Sequence, residues 1–332
     1  MAEKPDLTRF LPDSCLPTSW QHLLLRAVIG PEANRAGAWS EFCEICDLQR
    51  LDSASSSLIS LVWTSIGEDG IKGADQNLIK GTWRHQWARR KQLLETIREI
   101  LPRFGERALD VAFADETASA LLDYPDGVLR PWIGINLAIR REDLSTTSSL
   151  LRELGWQQQS DLSDEVGSNE WNREGAPSIE LRTSLFPEAL PDEQLWSRMQ
   201  TINMEGETAF VLPRIDRLLH LSYHGIRWMP STPLLSFIDA AAITRLMNHD
   251  ERKAIVVTAQ EWRLTHGLRR LMKQLRDLGI AEANNILVDS WLGRAGLAER
   301  VETRLRDRRN GRVLSHGRDW FRARRLRRTG SL

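Results

Sequence analysis

Three short apolar runs interrupt a chain that otherwise repeats at helical spacing, and they constrain its fold more than any other feature. They are residues 108–114, 132–139 and 178–185. The second, WIGINLAI, has strand length and β-branched content. The third alternates Ile179, Leu181 and Thr183 against Glu180, Arg182 and Ser184, as a half-buried strand does. Between them, residues 141–154 put Leu144, Leu150, Leu151 and Leu154 on one helical face, and Gly155 supplies a C-terminal stop. This strand–helix–strand order predicts a small mixed α/β core.

The flanks read as helical. Trp20, Leu23, Leu24 and Val28 begin a first helix, and residues 35–48 and 51–65 continue the pattern. Residues 76–101 form the longest helix, with an expected apolar stripe of Leu78, Trp83, Trp87, Leu93, Leu94, Ile97 and Ile100 closed by Pro102. A polar loop with a weak strand at 170–173 is expected over 157–177. After Pro187 the chain reads as helical again, over 215–228, 234–248, 252–264 and 268–278. The expected organisation is a helical region over 1–104, an α/β core over 105–186, a helical region over 187–302 and a basic tail over 303–332. The fold class is therefore α+β, a small mixed sheet flanked by helical regions.

Charge narrows the function classes. Lys and Arg together number 45, as do Asp and Glu, so no net field points to nucleic acid or membrane. The balance is local rather than uniform. Between Arg304 and Arg328 the arginines are opposed only by Asp307 and Asp319, and Trp320 and Phe321 lie among them. Basic residues interleaved with aromatics suit single-stranded nucleic acid, and equally a solvated helix end or a dock for an acidic partner. Neither a secretory signal nor an apolar run of membrane-spanning length is found, and three cysteines fit a reducing compartment, so a cytoplasmic protein is expected. Cys43 and Cys46 have the spacing of a redox or zinc pair, but on a helix they read better as two buried thiols.

Three segments together carry a resemblance. The first runs from Tyr124-Pro125-Asp126 through Arg130-Pro131 and the strand at 133–139 to Leu150-Leu151-Arg152-Glu153-Leu154-Gly155-Trp156. The second is Ile179-Glu180-Leu181-Arg182. The third is Leu218-Leu219-His220-Leu221 with His224-Gly225, followed by a helix containing Ile238-Asp239. In order and spacing, over roughly residues 20–300, these resemble a family of bacterial proteins known as uncharacterised nucleotidyltransferases. The resemblance implies a nucleotidyltransferase-like core. It also implies a cleft that takes Mg²⁺ and a nucleoside triphosphate.

The same comparison implies a degenerate site. The family places two acids on one strand one residue apart, so that both face the same side and hold the metal. Those positions are Gly134 and Asn136 here. The family's Lys-Gly phosphate turn falls on Asp115-Glu116, and its His two residues beyond the third acid is Arg182. Glu180 matches that third acid. The candidate catalytic residue is thus Glu180, and the candidate metal ligands are Glu180 and Asn136. The cleft candidates are Arg130, Asn136, Asp115, Glu116 and Arg182. Asp115, Glu116 and Glu180 could form a displaced acidic cluster, or the first two could simply begin a helix. His220 and His224 share a helix face, and with Asp239 they suggest an acid–base site or a His–Asp bond pinning two helices.

Three functional expectations follow. The first is a non-catalytic binding or accessory subunit with a protein partner in a bacterial biosynthetic pathway, with or without a bound nucleotide. The second is a Mg-dependent transferase of NMP groups onto a hydroxyl through relocated acids. The third is an RNA-associated protein using its arginine-rich tail.

Overall fold

The computed structural model describes residues 4, 17–71, 73, 75–125, 128–159, 168–186, 192–204, 206–225 and 233–289. The basic tail, Cys15 and the side chain of His224 lie outside the described residues.

Four helices open the chain: α1 (Ser19–Ile29), α2 (Glu32–Ile45), α3 (Ser53–Ile66) and α4 (Asp75–Gly105). Local chemistry fixes where they start. Thr18 caps α1 in a capping box with Gln21, so two backbone donors at the helix start are satisfied reciprocally. Asp52 caps α3 through the Ser55 N–H and also accepts from Gln21, which ties α1 to α3 in a buried contact.

Helix α4 corrects two expectations. It runs one turn past Pro102, to Gly105. A proline in the last turn removes a single hydrogen bond, and buried Leu101 and Phe104 hold that turn against the core. The apolar stripe is also displaced. Ile79, Leu93, Ile97 and Ile100 are buried, whereas Leu78 and Trp87 are 42% and 46% exposed.

The α/β unit follows: β1 (Val111–Phe113), α5 (Asp115–Leu122), β2 (Ile135–Ile139), α6 (Leu144–Glu153), β3 (Gln157–Gln158), β4 (Ser168–Asn172) and β5 (Ile179–Arg182). Next come α7 (Asp192–Arg198), β6 (Gln200–Met204) and β7 (Glu207–Val211). The strands form one seven-stranded mixed sheet in the order β3-β4-β5-β2-β1-β7-β6. The reading of residues beyond Pro187 as wholly helical is therefore corrected. The β6–β7 hairpin turns at Gly206, whose φ of +100° is a conformation glycine adopts freely. It returns to pair β7 in parallel with β1. Its outer strand is largely exposed, so it lacks the apolar run that marks a buried strand.

The chain ends, as described, in α8 (Arg214–His220), a wide turn at Leu221–Gly225, α9 (Pro233–Leu246), α10 (His249–Glu261), α11 (Thr265–Asp277) and α12 (Ala281–Asp289). The helix expected over 215–228 is thus shorter and leaves α-geometry after His220.

The sheet separates two cores. Ile135, Leu137 and Ile139 of β2 with Ile179 and Leu181 of β5 face α4 and α6. Ala112 and Ala138 face the opposite side, where α1–α3 and α8–α12 pack. The period of two along each strand sends Asn136, Glu180 and Arg182 to that second side. Charged pairs fasten the C-terminal helices there. Arg198 donates twice to Asp216 at 2.7 Å, and Arg217 pairs with Asp123, both acids being fully buried. Among the described residues, no helix is long and apolar enough to cross a membrane.

Candidate functional site

The site lies where β1 ends and α5 begins, beside β2 and β5. Sheet register sets its first contacts. Asn136 stands opposite Glu180 and Ala138 opposite Arg182 in the parallel β2–β5 pair. The Asn136 side-chain amide donates to Glu180 Oε2 at 2.9 Å, while its backbone N–H donates to the Thr117 hydroxyl at 2.8 Å. Thr117 comes from the first turn of α5, so that helix is fixed to β2 at the site.

Arg182 lies between two acids. Its Nη2 is 2.8 Å from Glu180 Oε1, and its Nη1 is 3.3 Å from Asp115 Oδ2. Burial disfavours the guanidinium charge, yet Asp115 and Glu180 hold it above its ordinary pKa. His220, from α8, places Nδ1 3.0 Å from the other Asp115 oxygen. Asp115 itself has φ +44°, in the left-handed region where glycine is the usual residue. The strand-to-helix turn keeps this conformation with an acid side chain held on both oxygens.

A second group of charges adjoins the first. Glu116 accepts from the Gly134 N–H at 3.3 Å and from Arg130 at 3.2 Å. Arg130 in turn donates through two nitrogens to Asp239, each at 2.7 Å. The Tyr124 hydroxyl donates to Asp239 at 2.6 Å. Burial, reinforced by the Asp239 carboxylate, holds this phenol well above its usual pKa, so it remains a donor. Burial also pushes the Glu116 carboxyl up, against the lowering effect of Arg130 and the Gly134 N–H.

The structure therefore gathers Asp115, Glu116, Asn136, Glu180, Arg182, Arg130, His220 and Asp239 into one neighbourhood. Of the two histidines considered for a bond to Asp239, His220 does not form it, and the His224 side chain lies outside the described residues. His220 turns to Asp115, and Asp239 is taken by Arg130 and Tyr124. The physical reason is charge: a buried carboxylate gains more from a bidentate guanidinium than from an imidazole. Asp115 and Glu116 begin α5, and each is paired with an arginine, Asp115 with Arg182 and Glu116 with Arg130. Tyr124, Thr117 and the Gly134 N–H were not singled out from sequence. Tyr124 belonged to a recognised turn, but nothing in the linear text connects it to Asp239.

These residues do not fit a Mg²⁺ ion. That ion demands oxygen ligands in near-octahedral array. Gly134 brings no side chain, and a Cβ there would stand 2.8 Å from Ser178 Oγ and 3.1 Å from the Ser178 carbonyl oxygen. Asn136 turns its amide NH₂, a donor, toward Glu180. Both Glu180 oxygens are engaged, one of them by a fixed cation. Among the described residues, no three His, Cys, Asp or Glu side chains converge as a metal-binding group.

Cys43 is half-buried on α2 and Cys46 is buried just past its end. Burial raises their thiols to about 12 and about 11.

The sequence profile of a family described as "Uncharacterised nucleotidyltransferase" matches residues 47–278. No curated protein matches the chain in sequence. Two solved structures are similar in shape. One is an antigenic nucleotidyltransferase-like protein from Paracoccidioides brasiliensis, 16% identical, with a TM-score of 0.41 over 58% of this chain and 93% of that one. The other is the lincosamide antibiotic adenylyltransferase LnuA with lincomycin bound, 11% identical, with a TM-score of 0.36 over 46% of this chain and 97% of that one.

Proposed function

We propose that this chain, which belongs to the uncharacterised nucleotidyltransferase family, is a non-catalytic binding or accessory subunit of a bacterial biosynthetic pathway. One observation carries the reading. The guanidinium of Arg182 stands between Asp115 and Glu180, where a transferase of this fold would need carboxylates turned toward a metal. A cation built into the chain stands permanently between these acids and offsets one of their two negative charges. Magnesium would have to displace it and leave a largely covered guanidinium without its partners, which is costly. A site stabilised in this way keeps its shape without metal and so suits recognition of a partner protein or a nucleotide.

A second reading, Mg-dependent transfer of an NMP group to a hydroxyl, draws on one observation. Asp115 and Glu180 already reach the same cationic group, the Arg182 guanidinium, so both lie within range of one shared charge. One titration separates the two. ATP, CTP, GTP and UTP are added to the protein by calorimetry with and without Mg²⁺. The subunit reading expects any nucleotide binding to be indifferent to Mg²⁺. Magnesium-dependent binding that disappears in Glu180→Gln would sink it.

A further inference from the structure

We infer that the solvent-facing middle of α4 is a binding surface for single-stranded nucleic acid, separate from the ion-paired site. The helix spans two cores, with Ile79 buried in one and Leu93 in the other. No residue from Lys80 to Gln92 is buried. Of these thirteen residues seven are exposed and six are partly covered, so one face of the helix is open to solvent along the whole span.

The charge of this span is one-sided. Lys80, Arg84, Arg89, Arg90 and Lys91 fall within it, and no acid occurs between Asp75 and Glu95. The chain as a whole has no net charge, so this concentration is local. Lys80 is answered by Glu68. Arg84 and Lys91 make no ion pair with any described residue. Arg89 and Arg90 donate to carbonyl oxygens, of Ile133 at 2.6 Å and Ala120 at 2.9 Å, which orient both side chains.

The partner is identified by what stands between the cations. Arg84, Trp87 and Lys91 are spaced three and four residues apart and so form one stripe, about 10 Å long. The Trp87 ring is 46% exposed, and Lys91 Nζ lies 3.9 Å from its centroid. An indole flanked by cations offers a stacking plane for a base and counter-charges for the phosphates on either side. A duplex hides its base faces in the stack. An acidic peptide would use the cations but has no need of the indole.

The test uses the full chain and a fluorescein-labelled oligouridine of about 20 nucleotides, followed by anisotropy across a salt series. Binding is expected to weaken as salt rises. Trp87→Ala should lower affinity by about five- to a hundredfold, the range for losing one stacked base, while Trp87→Phe keeps most of it. Arg84→Gln with Lys91→Gln should flatten the log–log salt slope by about 1.4. These side chains are exposed, so unchanged melting temperatures will confirm that the variants fold. Crosslinking with 4-thiouridine should label peptides of α4. Adducts confined to residues 304–328, or affinities unmoved in both variants, overturn the proposal. So does displacement by polyglutamate that is equally effective against wild type and Trp87→Ala, which would assign the surface to an acidic protein.

Discussion

Arg130 and Asp239 meet through two hydrogen bonds of 2.7 Å, with side chains only 4% and 3% exposed, and join the loop before β2 to helix α9. Asp239 also receives the Tyr124 hydroxyl, so two residues of one loop and a third more than a hundred residues away share one buried charge centre. Removing Arg130 leaves the Asp239 charge buried with only the Tyr124 hydroxyl, a loss of about 3–5 kcal/mol, whereas removing Asp239 leaves Arg130 its longer contact with Glu116. Arg130→Met and Asp239→Leu are each expected to lower the urea midpoint steeply. The double variant should lose less than the sum, because neither charge is then orphaned. Strict additivity would show that the two do not act as a pair.

Gly134 tests whether the missing strand acid can be put back. A Cβ at this position approaches both the hydroxyl and the carbonyl oxygen of Ser178. Gly134→Asp is expected to destabilise the fold by about 1–3 kcal/mol, the range for overfilling a packed site. Ser178→Ala in the same chain should recover part of that loss, since it removes the nearer contact. Thermal melting of the parent and the two variants decides the point. A Gly134→Asp variant as stable as the parent would show that the strands separate at no cost.

Burial raises the Glu116 carboxyl above its ordinary 4.5 in the folded protein. Between that value and the raised one, the folded state holds a proton that the unfolded state has released. Stability must therefore fall as pH rises through this window, by linkage. Asp123 acts in the same direction, because burial raises it too despite Arg217. Glu116→Gln removes one proton from this exchange. Its melting temperature should decline less than the parent's as pH rises above 4.5. Parallel profiles would refute the assignment.

Cys43 and Cys46 should behave as buried thiols rather than a reactive pair. With values near 12 and 11, little thiolate exists at pH 8. Iodoacetamide is expected to label both slowly in the native protein and rapidly in urea. Rapid native labelling, or a Cys43–Cys46 disulfide under mild oxidant, would contradict the burial that sets these values.

Much of the fold was legible from sequence because short-range patterns carry it. The strands around Ile135 and Ile179, α6 with its glycine stop, and the main C-terminal helices all have a periodicity visible in a few residues. The hairpin Gln200–Val211 escaped because its outer strand faces solvent, and parallel pairing with β1 is decided nearly a hundred residues away. Trp87 was misplaced on the buried stripe because helical spacing says which residues share a face, not whether anything covers that face.

The candidate residues themselves were also determined by the sequence: Gly134 and Asn136 on the strand, Asp115-Glu116 at the turn, Glu180, Arg182, His220 and Asp239. What each one touches was decided only by the tertiary structure. A carboxylate in the text has no partner. In the folded chain Arg182 reaches Asp115 and Glu180, and Arg130 takes Asp239 from His220, because buried charges settle on the strongest counter-charge that topology brings within reach.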